Sequence, residues 1–381
     1  MADNKDKKVL NVPALRFPEF TEEWEEHYLA EYLDFKNGLN PSANKFGSGI
    51  KFISVMDILN NDFITYDCIR TSVEITPEEQ VAFAVEKGDM LFQRSSETLE
   101  DVGRANVYMD DRPAVFGGFV IRGKKKAEYN PMFFRYLLAS PYARKKVIPM
   151  GAGAQHFNIG QDGLSKVKLH FPILQEQQKI ADLLRLINER ISTQNKIIEK
   201  LETLIKGILE TVISSQKPNT LIKNCLECNS STLQESQVAE TGTFPVYGAT
   251  DISGYTETAG INGESILIIK DGSGVGTVKF VSGEYSYIGT LNSLTAKDGY
   301  CLKYIYFALQ RFSFEPYKTG MAIPHIYFKD YGKAKIYCPS FSLQTLIAQK
   351  LSLIENKMEV EKRIILCYQL QRSYLLSRMF I

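Results

Sequence analysis

Cysteine is scarce in this chain: six residues scattered over 381 are too few for a disulfide scaffold. Tryptophan occurs once, at Trp24, and four histidines leave little material for a catalytic triad. No run approaches 18 uncharged apolar residues, so no membrane-spanning helix is expected. Met1 to Lys8 are polar and charged with no apolar stretch behind them, unlike an ordinary secretory signal. Neither sign of charge dominates, because 45 Lys and Arg face 44 Asp and Glu, a net of +1. That balance excludes a polybasic coat, although basic residues gathered on one face remain compatible with it. There is no Gly-x-x-x-x-Gly-Lys-Ser/Thr loop, so the chain does not read as a nucleotide-triphosphate motor. Gly272–Gly276 lacks the spacing and the following helix of a dinucleotide loop, and Thr277–Val281 reads as a strand. Cys225 and Cys228 lack a second ligand pair; in the repeat described below they fall opposite Tyr32 and Phe35, which suggests core filling rather than zinc. These absences predict a soluble cytoplasmic protein with no catalytic residues, metal or cofactor of its own.

What is present is material for sizeable cores. Hydrophobic residues make up 44% of the chain, with 22 Phe and 20 Tyr, and the length suggests two or three domains. The most informative feature is an internal repeat. Pro172, Gln177, Ile180, Ala181, Leu184 and Ile187 recur as Pro339, Gln344, Ile347, Ala348, Leu351 and Ile354, at an offset of 167. Gly151–Phe157 resembles Gly320–Ile326 at an offset of 169, and Ile53–Ile58 resembles Tyr247–Ile252 at 194. The repeating unit is a globular head followed by a helix. This predicts a first head over 1–173, a helix over 174–215, a second head over 216–340 and a helix over 341–381.

Both helices carry heptads. Ile180, Leu184, Ile187, Ile191, Gln194, Ile198, Leu201, Ile205, Ile208 and Val212 follow a 4-3 spacing, and Ile347, Leu351, Ile354, Met358, Glu361, Ile365 and Tyr368 repeat it. The first polar breaks, Gln194 and Glu361, are repeat partners. An antiparallel two-helix coiled coil would bring them to a central polar layer that fixes register at some cost in stability. The alternative is two amphipathic helices belonging to separate cores. The expected fold is therefore α+β: two similar heads separated by a long antiparallel coiled coil, with a pseudo-twofold axis. Two heads so related suit two separated DNA half-sites.

Charge is segregated along the chain. Residues 1–111 carry 11 basic and 22 acidic residues, whereas 112–172 carry 11 basic and 2 acidic. The positive block holds Lys124–Lys126 and Arg144, Lys145 and Lys146. A run such as Lys124–Lys126 can equally be a solvated face; Arg144–Lys146 precede the repeated glycine-to-histidine loop and are the better phosphate candidates. In that loop Gly151, Gln155, His156 and Asn158 are candidates, as are His325 and Tyr327 in the second copy. A glycine lets backbone approach a ligand and a histidine can donate to a base edge or phosphate, or simply cap the fold. Two further polar loops follow strand-like segments: Gln93, Arg94, Ser95 and Ser96 in the first head, and Lys270 to Gly276, including Ser273, in the second. Their side chains suit base-edge or phosphate hydrogen bonds. Asn130-Pro-Met-Phe133 reads as a helix cap, with Asn130 at the N-cap and Pro131 in the first turn.

Leu15–Phe20 with Trp24, and Pro172 to Ala181 with its Gln-Glu-Gln-Gln run, resemble the specificity subunits of type I restriction-modification systems. The resemblance covers nearly the whole chain. The second copy departs from it, since Pro339–Gln344 lacks the Glu-Gln-Gln run. The resemblance implies that each head is a target-recognition domain reading one half of a bipartite double-stranded DNA sequence. It implies that the helices set the gap and dock two methyltransferase subunits, with Glu189, Arg190, Lys196 and Lys357 as candidate contacts. S-adenosylmethionine, ATP and magnesium would then act on the methyltransferase and nuclease-translocase partners, not on this chain. A scaffold with two protein-binding heads is the competing expectation.

Overall fold

The two heptad segments form the helices Leu174–Leu209 and Phe341–Arg378, the first extended by a π-helical turn over Glu210–Ser214. The computed structural model describes residues 11–381; Met1 to Lys8, and the start of the expected 1–173 domain, lie outside the described residues. The chain divides into two compact units, Met1–Gln194 with Ile364–Ile381, and Asn195–Arg363. Each unit thus joins a globular head to a share of both helices. In the first, Ile180, Leu184 and Ile187 share a core with Leu375 and Met379; in the second, Leu209 and Ile213 share one with Ile347 and Leu351. Early residues of one helix meet late residues of the other, so the pairing is antiparallel. Gln194 is half-buried, and Glu361 is buried beside Lys357 of the preceding turn.

The head of the first unit opens with strand Glu25–Tyr28, paired antiparallel with the last strand, Lys168–Phe171. A single helical turn, Leu29–Tyr32, leads into an antiparallel sheet ordered Leu33–Asn37, Val120–Lys125, Met90–Gln93, Ala105–Val107. The second unit repeats the plan. Thr220–Leu221 pairs with Lys335–Ile336, the turn Ile222–Cys225 follows, and a six-stranded sheet begins Leu226–Ser230, Leu291–Ala296, Ile261–Ile269, Val278–Tyr287. Even a parallel step recurs. Ile53 pairs with Phe116 and accepts from the Gly117 N–H at 3.0 Å, while Tyr247 pairs with Tyr287 and accepts from the Ile288 N–H at 3.0 Å. Each head also carries one longer helix, Pro131–Ala139 and Leu302–Arg311. Asn130 caps the former, its side chain accepting from the Phe133 N–H at 2.9 Å, so the Asn-Pro-Met-Phe tetrapeptide is a helix start.

The repeated proline and glutamine explain how head and helix are joined. Gln177 Nε2 donates to the Pro172 carbonyl at 2.9 Å while its Oε1 accepts from the Asn130 N–H at 3.0 Å. In the second unit Gln344 Nε2 donates to the Pro339 carbonyl at 2.8 Å and its Oε1 accepts from the Cys301 N–H at 3.0 Å. Both glutamines are buried, at 3% and 2% exposure, so neither backbone group has water as an alternative partner. The Glu of the Gln-Glu-Gln-Gln run is also accounted for. Arg16 forks onto Glu176, with both hydrogen bonds at 2.7 Å and Glu176 fully buried. Leu343 stands at that position in the second copy and is exposed, having no such arginine to receive. Cys225 sits 3.7 Å from Cys338, sulfur to sulfur, where the first unit packs the Tyr32 and Phe171 rings at 4.7 Å in a tilted contact. Cysteine here fills core, and no cluster of metal-ligating side chains occurs among the described residues.

Because the glutamine amide serves two buried backbone groups at once, Gln177→Leu and Gln344→Leu should each destabilise the protein by about 1–3 kcal/mol, the cost of leaving such groups unpaired. Urea unfolding checks this; a loss below the error of the measurement in both variants would remove the clamp from the account.

Candidate nucleic-acid interface

The structure brings together the two loops of each head that lie far apart in sequence. In the first head, strand Ser95–Ser96 pairs antiparallel with Phe157–Asn158. Asn158 pairs with Ser95, their side chains are hydrogen-bonded, and the Ile159 N–H donates to the Arg94 carbonyl at 2.9 Å. The loop between closes on itself, with Ala152 and Asn158 exchanging backbone hydrogen bonds at 2.9 and 2.8 Å. In the second head, His325 bridges Asp271, the Ile326 N–H donates to the Lys270 carbonyl at 2.9 Å, and Thr319 and His325 exchange backbone bonds at 2.9 and 2.8 Å. The pattern is the same residue for residue.

This correspondence revises the repeat register. Asn158, not His156, occupies the place of His325, and Gly153, not Gly151, that of Gly320. The offset is then 167, identical to that of the helices. The glycines confirm it. Gly153 (φ +146°) and Gly320 (φ +89°) both adopt a backbone that side chains resist, and a Cβ there would come within 2.0 Å of the His156 carbonyl oxygen and 2.3 Å of that of Ile323. Gly151 is glycine for a different reason: a Cβ would lie 2.6 Å from Val102, so it serves close packing rather than ligand approach. The register also makes Arg94 and Lys270 equivalent, a basic residue at the same point of both heads.

Exposure sorts the remaining candidates. Ala152 to His156 are exposed, including Gln155 and His156, and so is Asn158. Arg94, Ser95 and Ser96 are half-buried, with Arg94 Nη1 donating to the Gly118 carbonyl at 3.3 Å and Ser96 Oγ accepting from the Thr98 N–H at 3.2 Å. In the second head Ser273 and Tyr327 are exposed, His325 lies edge-on to Tyr327 at 5.1 Å, and Lys270 is half-buried beside Asp271. Met321 and Ile323 stand out from the same loop, residues that sequence reading passed over because a polar surface was sought.

Three expectations are revised by the geometry. Gln93 is 5% exposed, ends a central strand and turns its amide back onto the Ser95 carbonyl at 2.9 Å. Arg144 is not a free surface side chain: its Nη2 donates to the carbonyls of Glu100 at 2.8 Å and Val102 at 2.7 Å. Desolvation, reinforced by the neighbouring Arg104, pushes its guanidinium down to about 10, with Asp101 opposing. Among the described residues, five of the eleven basic residues of 112–172 pair with carboxylates of the acidic block before it. Lys126 lies 3.3 Å from Asp34 and Lys168 reaches Glu26 at 3.3 Å across its strand pair, while Lys124 reaches Glu86 at 3.4 Å and Lys146 reaches Glu26 at 3.7 Å. Arg112 forks onto Asp67 and Asp110 at 2.9 and 2.8 Å. Of the Arg144–Lys146 trio, Lys145 alone is fully exposed.

Arg144 therefore braces the turn beneath the loop pair. Arg144→Ala should lower the unfolding midpoint and loosen Leu99–Asp101, read as faster amide exchange there, by about 1–3 kcal/mol from two lost charge-assisted bonds. A variant as stable as the parent would contradict the assignment.

A family profile described as the type I restriction modification DNA specificity domain matches residues 21–203 and 224–366. The MjaVIII type I restriction enzyme specificity subunit of Methanocaldococcus jannaschii is 23% identical over 204 residues, 52% of this chain and 47% of that protein. The StySPI specificity subunit of Salmonella potsdam is 22% identical over 221 residues, 58% of this chain and 46% of that protein. The chain thus spans about half the length of the curated relatives it matches. The S subunit of a type I restriction-modification system from M. genitalium shares the fold, with a TM-score of 0.68 over 97% of this chain and 99% of its own, at 18% identity. With the profile falling once on each copy of the repeat, this chain belongs to the family of type I restriction modification DNA specificity domains.

Proposed function

We propose that the chain is the sequence-specificity subunit of a type I restriction-modification complex, and that each head reads one half of a bipartite DNA target. The observation that carries this reading is the duplicated loop pair. Two heads with little sequence in common build the same hydrogen-bonded ribbon and then place different side chains on it: Ser95, Asn158, Gln155 and His156 on one, Asp271, Ser273, His325 and Tyr327 on the other. A constant frame with variable polar tips is what distinct half-sites require, since phosphate contacts position a protein while base-edge contacts specify. Arg94 and Lys270, at equivalent points, supply positioning charge.

The long helices are the measuring and docking element of this reading. Leu366, Leu370 and Tyr374 form one exposed apolar stripe in the first unit, and Leu346, Leu353 and Val360 another in the second. Such stripes on otherwise charged helices suit a partner surface, here the methyltransferase subunits, with Glu189, Arg190, Lys196 and Lys357 of the two helices as candidate contacts. The chain itself catalyses nothing in this scheme; S-adenosylmethionine, ATP and magnesium serve the methyltransferase and nuclease-translocase partners. The partly paired basic residues of the first head fit a subunit that leaves much of the phosphate grip to those partners.

The test is methylome sequencing of a host expressing this chain with its methyltransferase. A split motif is expected. Substituting Asn158 and Gln155 should alter only one half-site, and His325 and Tyr327 only the other, each lost base contact costing about 1–3 kcal/mol. Arg94→Ala and Lys270→Ala should weaken binding without changing the motif and flatten its salt dependence. A continuous motif, or one indifferent to both loop pairs, would reject the two-head reading in favour of a protein-binding scaffold.

A further inference from the structure

Behind the loop pair of the first unit lies a cavity of about 400 Å³ lined by four arginines, Arg104, Arg135, Arg144 and Arg372, with Asp62 and Asn188. They come from separate parts of the chain, and the fold brings them to one place. Arg372 Nη1 donates to Asn188 Oδ1 at 3.2 Å, and Asn188 in turn donates to Asp62 at 2.9 Å. Arg135 is held through Nε by the Asp62 carbonyl at 3.1 Å and by Asn106 at 3.2 Å. Arg104 pairs with Asp101 at 2.6 Å and keeps half of its side chain exposed.

Two guanidinium atoms are left over. Arg144 Nη1 and Arg372 Nε are buried and have no hydrogen-bond partner among the described residues. A buried donor without a partner costs stability, and a cationic one more so. Burial is the main cause that lowers the Arg135 and Arg144 guanidinium pKa values; Arg372 and Arg104 add to it at Arg135 against Asp62, and Arg104 adds to it at Arg144 against Asp101. Asp62, Glu100 and Asp101 are the carboxylates of the neighbourhood, and Asp62 and Asp101 are engaged as described. The second unit has no counterpart. Glu355 replaces Asn188 at the repeat position and pairs with Lys303 at 3.0 Å, and Tyr306 stands near the repeat position of Arg135.

We infer that this cavity is a phosphate-binding site of the first unit, with Arg104, Arg144 and Arg372 as its donors. A tetrahedral oxyanion accepts from several directions at once and so answers donors that converge from different elements, whereas a lone carboxylate matches a single arginine fork. Glu100 and Ile148, which also line the cavity, belong to the turns Leu99–Asp101 and Ile148–Met150 at the base of the loop pair. A phosphate there braces those turns. It is supplied either as a free oxyanion or by a backbone phosphate of DNA, and the inference does not depend on the DNA reading.

The probe is inorganic phosphate. Added to the full chain at constant pH and ionic strength up to about 50 mM, it should raise the thermal midpoint where chloride does not, as a ligand of the folded state must. Arg104→Gln and Arg372→Gln should each weaken phosphate binding on the order of tenfold, the worth of one charge-assisted bond, and Lys166→Gln, an exposed residue of the same unit, should leave it unchanged. Competition between phosphate and duplex DNA assigns the site to the DNA backbone; stabilisation without competition assigns it to a free oxyanion. No midpoint shift, or a shift that survives both arginine substitutions, overturns the inference.

Discussion

The buried glutamine at the start of each long helix is the point on which both units depend. A side-chain amide has one acceptor and two donors, and here the acceptor and one donor are committed: to the first N–H of a head helix and to the carbonyl of the proline that precedes the long helix. Neither backbone group is served by a helix: Asn130 and Cys301 are N-caps whose N–H groups have no intrahelical acceptor, and the prolines stand before the first turn of the long helices. The same amide therefore satisfies two termini and locks the angle between them. Once that angle is set, Trp24, Phe133 and Phe380 can meet edge-on in the first core at about 6 Å, and the loops at the far side of the head have a rigid base.

Around this shared joint the two copies have diverged in opposite chemical senses. The first adds a buried Arg16–Glu176 fork, a stack of aromatics over Phe171 and an arginine-lined cavity. The second replaces these with an exposed leucine, a pair of cysteines and a simple Lys303–Glu355 ion pair. What is retained is backbone: the strand order, the parallel step at Ile53 and Tyr247, and the loop closed by a positive-φ glycine. Recognition tips can vary on such a frame, because the main-chain hydrogen bonds that hold the ribbon do not depend on which side chain a tip residue carries.

Much of this was legible beforehand. The helices announced themselves through a strict apolar period, which depends only on local geometry. The clamp glutamine was visible as a repeated Pro and Gln, although its partners Asn130 and Cys301 were not, because they lie far away along the chain. The loop candidates were found, but their register was misjudged by two residues. Matching His156 to His325 by identity overlooked that a closed loop is aligned by its glycine, whose φ no other residue tolerates.

The sequence by itself determined the duplication, the α+β plan, the two long helices and the segments that carry the loops. Those follow from periodicity and from residues whose conformational limits are local. Only the tertiary structure decided what the charges do. Read along the chain, an acidic block precedes a basic one; folded, Glu26 meets Lys168 and Lys146, Asp34 meets Lys126, and part of the basic block is paired off. It also tied Arg144 to the backbone of Glu100 and Val102 and gathered it with Arg104, Arg135 and Arg372. Electrostatic energy depends on distance in space, and sequence order is a poor guide to that distance once strands have paired.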